Sequence, residues 1–132
     1  MKHLLLIALF FSAGSVFSQK DVELNKKYQG YYEGIIPEYS IQSNGELHFV
    51  SSTPIAITIG EDFVQVRVGN NEIMGTYEVM FKAEKYFLLD VDIEGQLANE
   101  RIMVYKKGKK LSRDGMFPQP ISSLKKVRKK DR

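Results

Sequence analysis

The chain has 132 residues, a net charge of +3 and no cysteine. A chain of this length suits one domain with one hydrophobic core. The lack of cysteine excludes a disulfide framework, a thiolate metal site, a cysteine nucleophile and a lipid-modified cysteine.

Residues 1–18 have the organisation of a secretory signal peptide. Lys2 gives a charged start, a short apolar run follows, and Val16 and Ser18 are small residues before a cleavage point. The apolar run is shorter than the roughly 20 residues of a membrane-spanning helix, and a retained short anchor is the alternative. We therefore expect an exported protein, periplasmic or extracellular. The absence of an N-x-[ST] acceptor favours a bacterial origin.

Charge is distributed unevenly along the chain. Residues 19–105 contain 7 Lys/Arg and 14 Asp/Glu, whereas residues 106–132 contain 11 and 2. A basic end can bind anionic lipid, acidic polysaccharide or an acidic protein, or it can simply be solvated. Nucleic acid is disfavoured, because the aromatic residues belong to predicted strand cores and the chain is expected to be exported.

Residues 54–93 set the predicted fold, because they alternate between apolar and polar residues in short runs separated by turns. Such alternation is typical of half-buried antiparallel strands. About eight short strands at regular spacing predict an all-β antiparallel meander, either a small barrel or a sandwich. We place this single domain at residues 19–114.

The turns can be tested against the faces that they join. A two-residue turn at Glu61-Asp62 predicts that Ile57 faces Val66, and one at Asn70-Asn71 that Val68 faces Ile73. A three-residue loop over 83–85 predicts that Val79 faces Leu89, with Tyr77 and Phe81 on the same face as Val79.

Other pairings follow from the same rule. A three-residue turn at Ser43-Asn44-Gly45 predicts that Ile41 faces Leu47 with both residues toward the core. After Gly95, Ile93 is expected to face Ile102, which places Glu94 opposite Arg101. A turn at Lys107-Gly108 sets Val104 against Leu111.

Residues 115–132 form a basic segment in which Pro118 and Pro120 exclude a central strand at that point. Ile121, Leu124 and Val127 recur at a spacing that fits one short helical stripe. A helix that packs on the barrel and a frayed tail are the two alternatives, because a short isolated helix is marginal.

The acids at Asp90, Asp92 and Glu94, followed by Gly95, resemble the opening of a calcium-binding EF-hand loop. The twelfth position of that loop holds Arg101, where the bidentate glutamate belongs. The same residues fit a solvated strand face, and Asp90 with Asp92 also has a spacing open to a catalytic carboxylate pair. The alternation places both aspartates on the outer face.

Residue 48 is the one histidine of the expected mature chain, and it alternates with Glu46. One histidine cannot build a multi-histidine zinc site, and no serine motif accompanies it. No nucleophile, base and orienting group occur together, so we expect no enzyme activity, no catalytic residue, no metal and no cofactor.

Gly30-Tyr31-Tyr32 on the first strand, the meander of short hairpins and Arg101 near the start of a late strand resemble the lipocalin and calycin group. The resemblance covers residues 28–111 and implies an eight-stranded barrel with a mouth for a small hydrophobic ligand. It also implies that Tyr32 lies under Arg101 at a closed end of the barrel.

Two functions follow from the sequence. The first is an exported non-enzymatic binding module that holds a small hydrophobic ligand in a β-barrel; its candidate lining residues are Tyr28, Tyr32, Tyr77, Phe81, Phe87 and Leu89. The second is a protein-interaction or envelope-accessory module that uses the basic segment and outward-facing apolar residues, namely Phe63, Met80, Tyr86, Leu88, Met103 and Tyr105. An eight-stranded barrel can be filled or open, and periodicity alone does not distinguish them.

Overall fold

The computed structural model describes residues 23–115 and 118–128, so the predicted signal peptide lies outside the described residues. A 3₁₀ turn, Lys26–Tyr28, precedes the strands of this part of the chain. The strands are β1 (Gly30–Ile36), β2 (Tyr39–Ser43), β3 (Glu46–Val50), β4 (Thr53–Ile59), β5 (Val64–Val68), β6 (Asn71–Lys82), β7 (Tyr86–Ile93), β8 (Glu100–Tyr105), β9 (Lys110–Asp114) and β10 (Ser122–Lys126).

Eight of these strands form a closed antiparallel barrel in the order β1-β10-β9-β8-β7-β6-β5-β4. The strands β2 and β3 form a separate two-stranded sheet. The predicted all-β antiparallel meander is confirmed, and of the two predicted architectures the chain adopts the barrel. In the part of the chain that the structure describes, no helix has the length and apolarity to cross a membrane.

The first strand closes the barrel. It pairs with β4 along its whole length, from Gly30 opposite Ile59 to Ile36 opposite Thr53, and with β10 on its other side. A Cβ atom at Gly34 would lie 2.3 Å from the backbone oxygen of Ser123. Only glycine permits this close approach of the two strands, which explains a glycine inside an aromatic strand.

Side chains fill the inside of the barrel. Many of the inward-facing residues keep under 2% of their surface accessible, namely Tyr32, Ile57, Val66, Leu89, Val91, Ile102, Val104, Leu111 and Leu124. A side chain that lined an internal cavity wide enough for water would keep more accessible surface than this. An eight-stranded barrel is narrow enough to be filled in this way.

The two ends of the barrel differ. We call the end at which β1 begins the tyrosine end, after Tyr28, Tyr32 and Tyr77, which lie there. The opposite end, at which β8 begins and β9 ends, we call the ion-pair end, because Glu100 and Arg113 meet inside it.

The central pairings follow the prediction with one shift. Ile57 faces Val66 and Val79 faces Leu89, as predicted. Val68, however, faces Asn71, and Ile73 faces Val66. The turn is therefore Gly69-Asn70, where Gly69 adopts a φ of +59°. Glycine takes such an angle without strain, and a shift of two residues keeps every side chain on its predicted face.

The predicted position of Phe81 on the face of Tyr77 is wrong. The register of β6 and β7 shifts between Val79 and Phe81, so that Phe81 faces Leu88 on the outer side of the barrel. The predicted pairing needs one residue without a partner, and the structure supplies it as a bulge in β6 and not in the turn. The turn that follows contains two residues, Glu84 and Lys85.

The predicted register of the β2–β3 hairpin is also wrong. Ile41 faces His48, and the turn is Asn44-Gly45, with φ angles of +53° and +80°. Two residues with positive φ are the signature of the tight type I′ hairpin. Tyr39 packs against the core, but the hairpin forms a sheet of its own and Phe49 is 81% exposed, so little buried surface fixes its register.

Two pairings on the later strands have different outcomes. Val104 faces Leu111, as predicted. Ile102 faces Leu89 instead of Ile93, which leaves residues 94–99 as a longer loop. Arg101 consequently faces Asp90 on the outer side, and not Glu94.

Residues 122–126 of the C-terminal segment complete the barrel, so both predictions, a helix and a frayed tail, are wrong for these residues. Ser122–Lys126 is a strand that pairs with β9 on one side and β1 on the other. Leu124 is 1% exposed and joins the core. The prolines lie before the strand, where no ladder donor is lost.

Candidate functional site

The structure separates the six residues predicted to line a ligand site. Leu89 and Tyr32 are buried in the filled core, at 0% and 1% exposure, and Phe81 lies on the outer surface. Tyr28, Tyr77 and Phe87 lie together at the tyrosine end, around an open cleft. Ligand contact by any of the six remains a prediction.

The cleft at the tyrosine end, which we call the mouth cleft, has a volume of about 1510 Å³. Its apolar floor is an aromatic pair, because the rings of Tyr28 and Phe87 lie 5.1 Å apart between centroids at an angle of 55°. Val79 and Leu24 extend this apolar surface. The floor is therefore the continuation of the core to the solvent.

The segment before β1 covers part of this end. Leu24 is only 5% exposed, and its carbonyl oxygen accepts a hydrogen bond from Gln29 Nε2 at 3.1 Å. The Asn25 side chain caps the 3₁₀ turn by accepting from the Lys27 backbone N–H at 3.1 Å. These contacts hold Tyr28 against the core and form one wall of the cleft.

One side of the mouth cleft is acidic. The single proton of the Tyr77 hydroxyl is shared between the backbone carbonyls of Gly60 and Glu61, at 2.8 and 3.0 Å, which ties β6 to the β4–β5 turn. Burial raises the pKa of Tyr77, and the negative charges of Asp62, Glu23 and Glu61 raise it further. A ligand on this side meets carboxylates.

The other side of the cleft is basic. The ammonium groups of Lys82 and Lys106 lie 5.9 and 5.1 Å from the centre of the Phe87 ring. Both are within the range of a cation–π contact. The bulge before Phe81 turns Lys82 inward, so that Lys82 lies opposite Phe87 on the neighbouring strand and on the same face of the sheet.

A smaller pocket adjoins the mouth cleft. We call it the lysine pocket; it has a volume of about 260 Å³ and is lined by Lys27, Tyr28, Tyr32, Tyr105, Lys106, Gly108, Lys109 and Lys126. The Lys126 ammonium donates to the Lys27 carbonyl at 2.8 Å. Burial lowers the pKa of Lys126, and the nearby charge of Lys109 lowers it further.

Tyr32 joins the core to the wall of both pockets. Its hydroxyl donates to the Tyr28 carbonyl at 2.6 Å. Burial raises the pKa of Tyr32 to about 12, with a smaller contribution from Tyr28. The folded protein therefore holds this proton more tightly than the unfolded chain does.

This difference predicts a pH dependence of stability. Because the folded pKa is raised, the Tyr32 contribution is complete below pH 10 and is lost as the pH rises toward 12. Tyr32→Phe should cost about 1 kcal/mol at pH 8, through the lost hydrogen bond. That cost should shrink above pH 10 by up to about 1.4 kcal/mol per pH unit. Urea unfolding at pH 8 and pH 11 measures it, and parallel pH curves for the two proteins would contradict the assignment.

Sequence reasoning missed a buried ion pair at the ion-pair end. Arg113 Nε and Nη2 donate to the two carboxylate oxygens of Glu100, at 2.7 and 2.9 Å. Arg113 Nη1 also donates to the Gln119 side chain at 2.9 Å. Both charged side chains are at least 96% buried. The sequence contained a signal for this pair, because Glu100 and Arg113 lie two residues from Ile102 and Leu111 and therefore on the same inward face.

The candidate aspartates and the candidate histidine lie on different elements, Asp90 and Asp92 on β7 and His48 on β3. Asp90 lies on the outer face as predicted, where it pairs with Arg101 at 3.2 Å and accepts from Asn99 at 3.0 Å. His48 and Glu46 lie 3.7 Å apart on the exposed hairpin. Among the described residues, no three histidine, aspartate or glutamate side chains are grouped to hold a metal ion.

Arg101 also departs from the position that the sequence resemblance implied. It lies on the outer face because its neighbour Ile102 faces inward, whereas the residue opposite Tyr32 on β10 is Lys126. The closed antiparallel eight-stranded barrel is consistent with a lipocalin or calycin-like architecture. No family model, curated protein or solved structure matches the chain.

Proposed function

We propose that the protein is an exported, non-enzymatic binding module that holds a small apolar ligand in the mouth cleft, as a distant member of the lipocalin and calycin group. The observation that carries the proposal is the aromatic floor of the cleft, where the half-buried Tyr28 packs on Phe87. Ligand sites combine apolar concave surface with placed polar groups, and the mouth cleft offers the apolar side chains of Leu24, Val79 and Phe87 inside a rim that is mostly charged and polar.

The filled core moves the site away from the barrel axis. A ligand on the axis would have to displace side chains such as Ile57 and Val66, which have 0% exposure. Interiors packed to this degree resist the insertion of further atoms. The mouth cleft is open without any such rearrangement, so it is the site that the proposal uses.

Two neighbouring residues give a matched test of the site. The chain has no tryptophan, so Lys82→Trp and Phe81→Trp each introduce a single tryptophan, whose emission can be followed separately from that of the tyrosines. Residue 82 lines the mouth cleft, whereas residue 81, its neighbour on the same strand, faces outward. Titration with decan-1-ol should produce a saturable blue shift of the emission for K82W and no saturable change for F81W. No saturable response from K82W would rule out the proposed site.

The second candidate is an envelope-accessory or protein-interaction module. An outward strip of Phe81, Tyr86 and Tyr105 favours it, since the neighbouring ring centroids are 6.5 Å apart in both steps and Phe81 is 54% exposed. Lys110 lies 5.3 Å from the Tyr105 ring, which places a basic residue beside the strip. Apolar patches rimmed by charge are typical of protein or membrane contacts.

The test of this second function uses point variants on the strip. Deletion of the C-terminal segment would remove β10 and open the barrel, so it cannot test the role of the basic residues. Wild type and Phe81→Ser/Tyr86→Ser should instead be compared by sedimentation with vesicles rich in anionic lipid. The second function predicts that the variant no longer sediments, whereas equal sedimentation would count against it.

A further inference from the structure

Two basic runs that are distant in the sequence meet at the tyrosine end. Residues 106–109 connect β8 to β9, Lys110 begins β9, and residues 125–126 end β10. The order of strands places β8, β9 and β10 side by side, and antiparallel pairing brings the end of β8, the start of β9 and the end of β10 to the same rim. The positive charge of the last part of the sequence is therefore concentrated in space.

Strand alternation directs part of this charge inward. Lys106 and Lys126 lie two residues after the buried Val104 and Leu124, and successive side chains of a strand alternate between its faces. Lysines therefore take rim positions at which the pattern would continue the apolar core. A barrel stabilised by apolar packing alone does not require cations at these positions.

Four lysine side chains and no carboxylate line the lysine pocket. Lys27, Lys106, Lys109 and Lys126 line it together with three tyrosines and Gly108. Among the described residues, the ion pairs join His48 to Glu46, Arg101 to Asp90 and Arg113 to Glu100. None of them involves a lysine of this pocket, so no described carboxylate lies within ion-pair distance of these ammonium groups.

Backbone contacts hold the lysines in place. The Lys126 N–H donates to the Lys109 carbonyl at 2.8 Å, and the Lys126 ammonium donates to the Lys27 carbonyl at the same distance. Gly30 has a φ of +137°, and a Cβ atom there would lie 2.8 Å from Lys126 Cε. The glycine thus leaves the space that the Lys126 side chain occupies.

We propose that the lysine pocket binds the phosphate group of an amphipathic ligand whose apolar part lies in the mouth cleft. This inference rests on the proposed function. Lys27, Tyr28 and Lys106 line both spaces, so one molecule can contact both. Lysine is a common phosphate-binding residue, and an excess of positive charge favours a doubly charged phosphate monoester over a single carboxylate.

Titrations with hexyl phosphate, hexan-1-ol and inorganic phosphate separate the two parts of the ligand. They are followed by NMR shifts of the backbone amides. Hexyl phosphate should bind at least about tenfold more tightly than hexan-1-ol, with shifts around both Lys109 and Phe87. Equal affinity of the two compounds would overturn the phosphate site and leave the proposed function intact. Inorganic phosphate that shifts Lys109 and Lys126, with no shift at Phe87 from any compound, would sink the proposed function and retain a phosphate pocket.

Matched lysine variants test which charges act. Lys106→Gln/Lys109→Gln removes two charges from the pocket, and Lys107→Gln/Lys110→Gln removes two from the same turn outside the pocket. The first pair should weaken hexyl phosphate binding by about tenfold or more, and the second by less than about twofold. Equal losses from the two pairs would show that only the general charge of this end matters, and would overturn the proposal.

The phosphate can belong to a soluble molecule or to a lipid headgroup. Sedimentation with phosphatidylcholine vesicles, with and without phosphatidic acid, tests the second source. Binding of both hexyl phosphate and phosphatidic acid vesicles, each lost in K106Q/K109Q, assigns the site to lipid phosphate. Binding of hexyl phosphate alone assigns it to a soluble phosphate monoester. Binding of neither overturns the proposal.

Discussion

Replacement of Ser123 by proline should destabilise the protein by about 3 kcal/mol or more. Ser123 lies in β10 with a neighbouring strand on each side, opposite Ile35 and Ser112. Proline removes a backbone donor from this ladder and introduces a ring between two paired strands. Because a domain of this size has a total stability of roughly 5–15 kcal/mol, such a loss is a large fraction of it.

Ser123→Ala is the matched control. The Ser123 side chain is exposed, so this change removes the hydroxyl, keeps the backbone donor and should alter stability by less than about 0.5 kcal/mol. Urea unfolding of the three proteins gives the comparison. If S123P were as stable as S123A, the C-terminal segment would be a dispensable tail, and the barrel as described would not be closed by β10.

Replacement of Arg113 by methionine should cost about 3–5 kcal/mol, because it leaves the Glu100 carboxylate buried without its cation. The pair is bidentate, with Glu100 1% and Arg113 3% exposed. The double variant Glu100→Leu/Arg113→Met should be markedly more stable than R113M alone, since two apolar side chains leave no buried charge. Denaturant unfolding measures both.

The next residue along β8 provides the control. Arg101 pairs with Asp90 at 3.2 Å, but its side chain is 48% exposed. Arg101→Met should therefore cost no more than about 1 kcal/mol. Similar losses for R113M and R101M would mean that the Glu100–Arg113 pair is not buried in the folded protein in solution.

The barrel could be predicted from the sequence because alternation and turn length had to agree. Where one face is buried, as for Ile57 with Val66, a shift of one residue exposes the whole apolar set, so the pattern fixes the faces. A register shift of two residues keeps each side chain on the same face, so the pattern does not exclude it. The pairing across the Gly69-Asn70 turn differs from the predicted pairing by such a shift. The hairpin of Ile41 and His48 contains no fully buried residue, and there the preference of Asn44-Gly45 for positive φ decides the register.

The arrangement of the tyrosine end could not be predicted because it depends on long-range pairing. Proline residues and a high positive charge favoured a tail for residues 115–132, although the strand begins only at Ser122, after both prolines. The sequence pattern predicts an inward-facing Phe81, because a three-residue turn and a bulge in β6 satisfy the same pairing rule. The pattern does not distinguish between the two. The lysine pocket requires β10 beside β9, a contact that no local pattern in the sequence indicates.

The position of a bound apolar ligand tests this account most directly. Intermolecular NOEs between decan-1-ol and the methyl and aromatic protons of the protein report that position. We expect NOEs to Tyr28, Val79 and Phe87 at the mouth cleft, with none to Ile57 or Val66. Strong NOEs to Ile57 and Val66 would place the ligand on the barrel axis and contradict the filled interior.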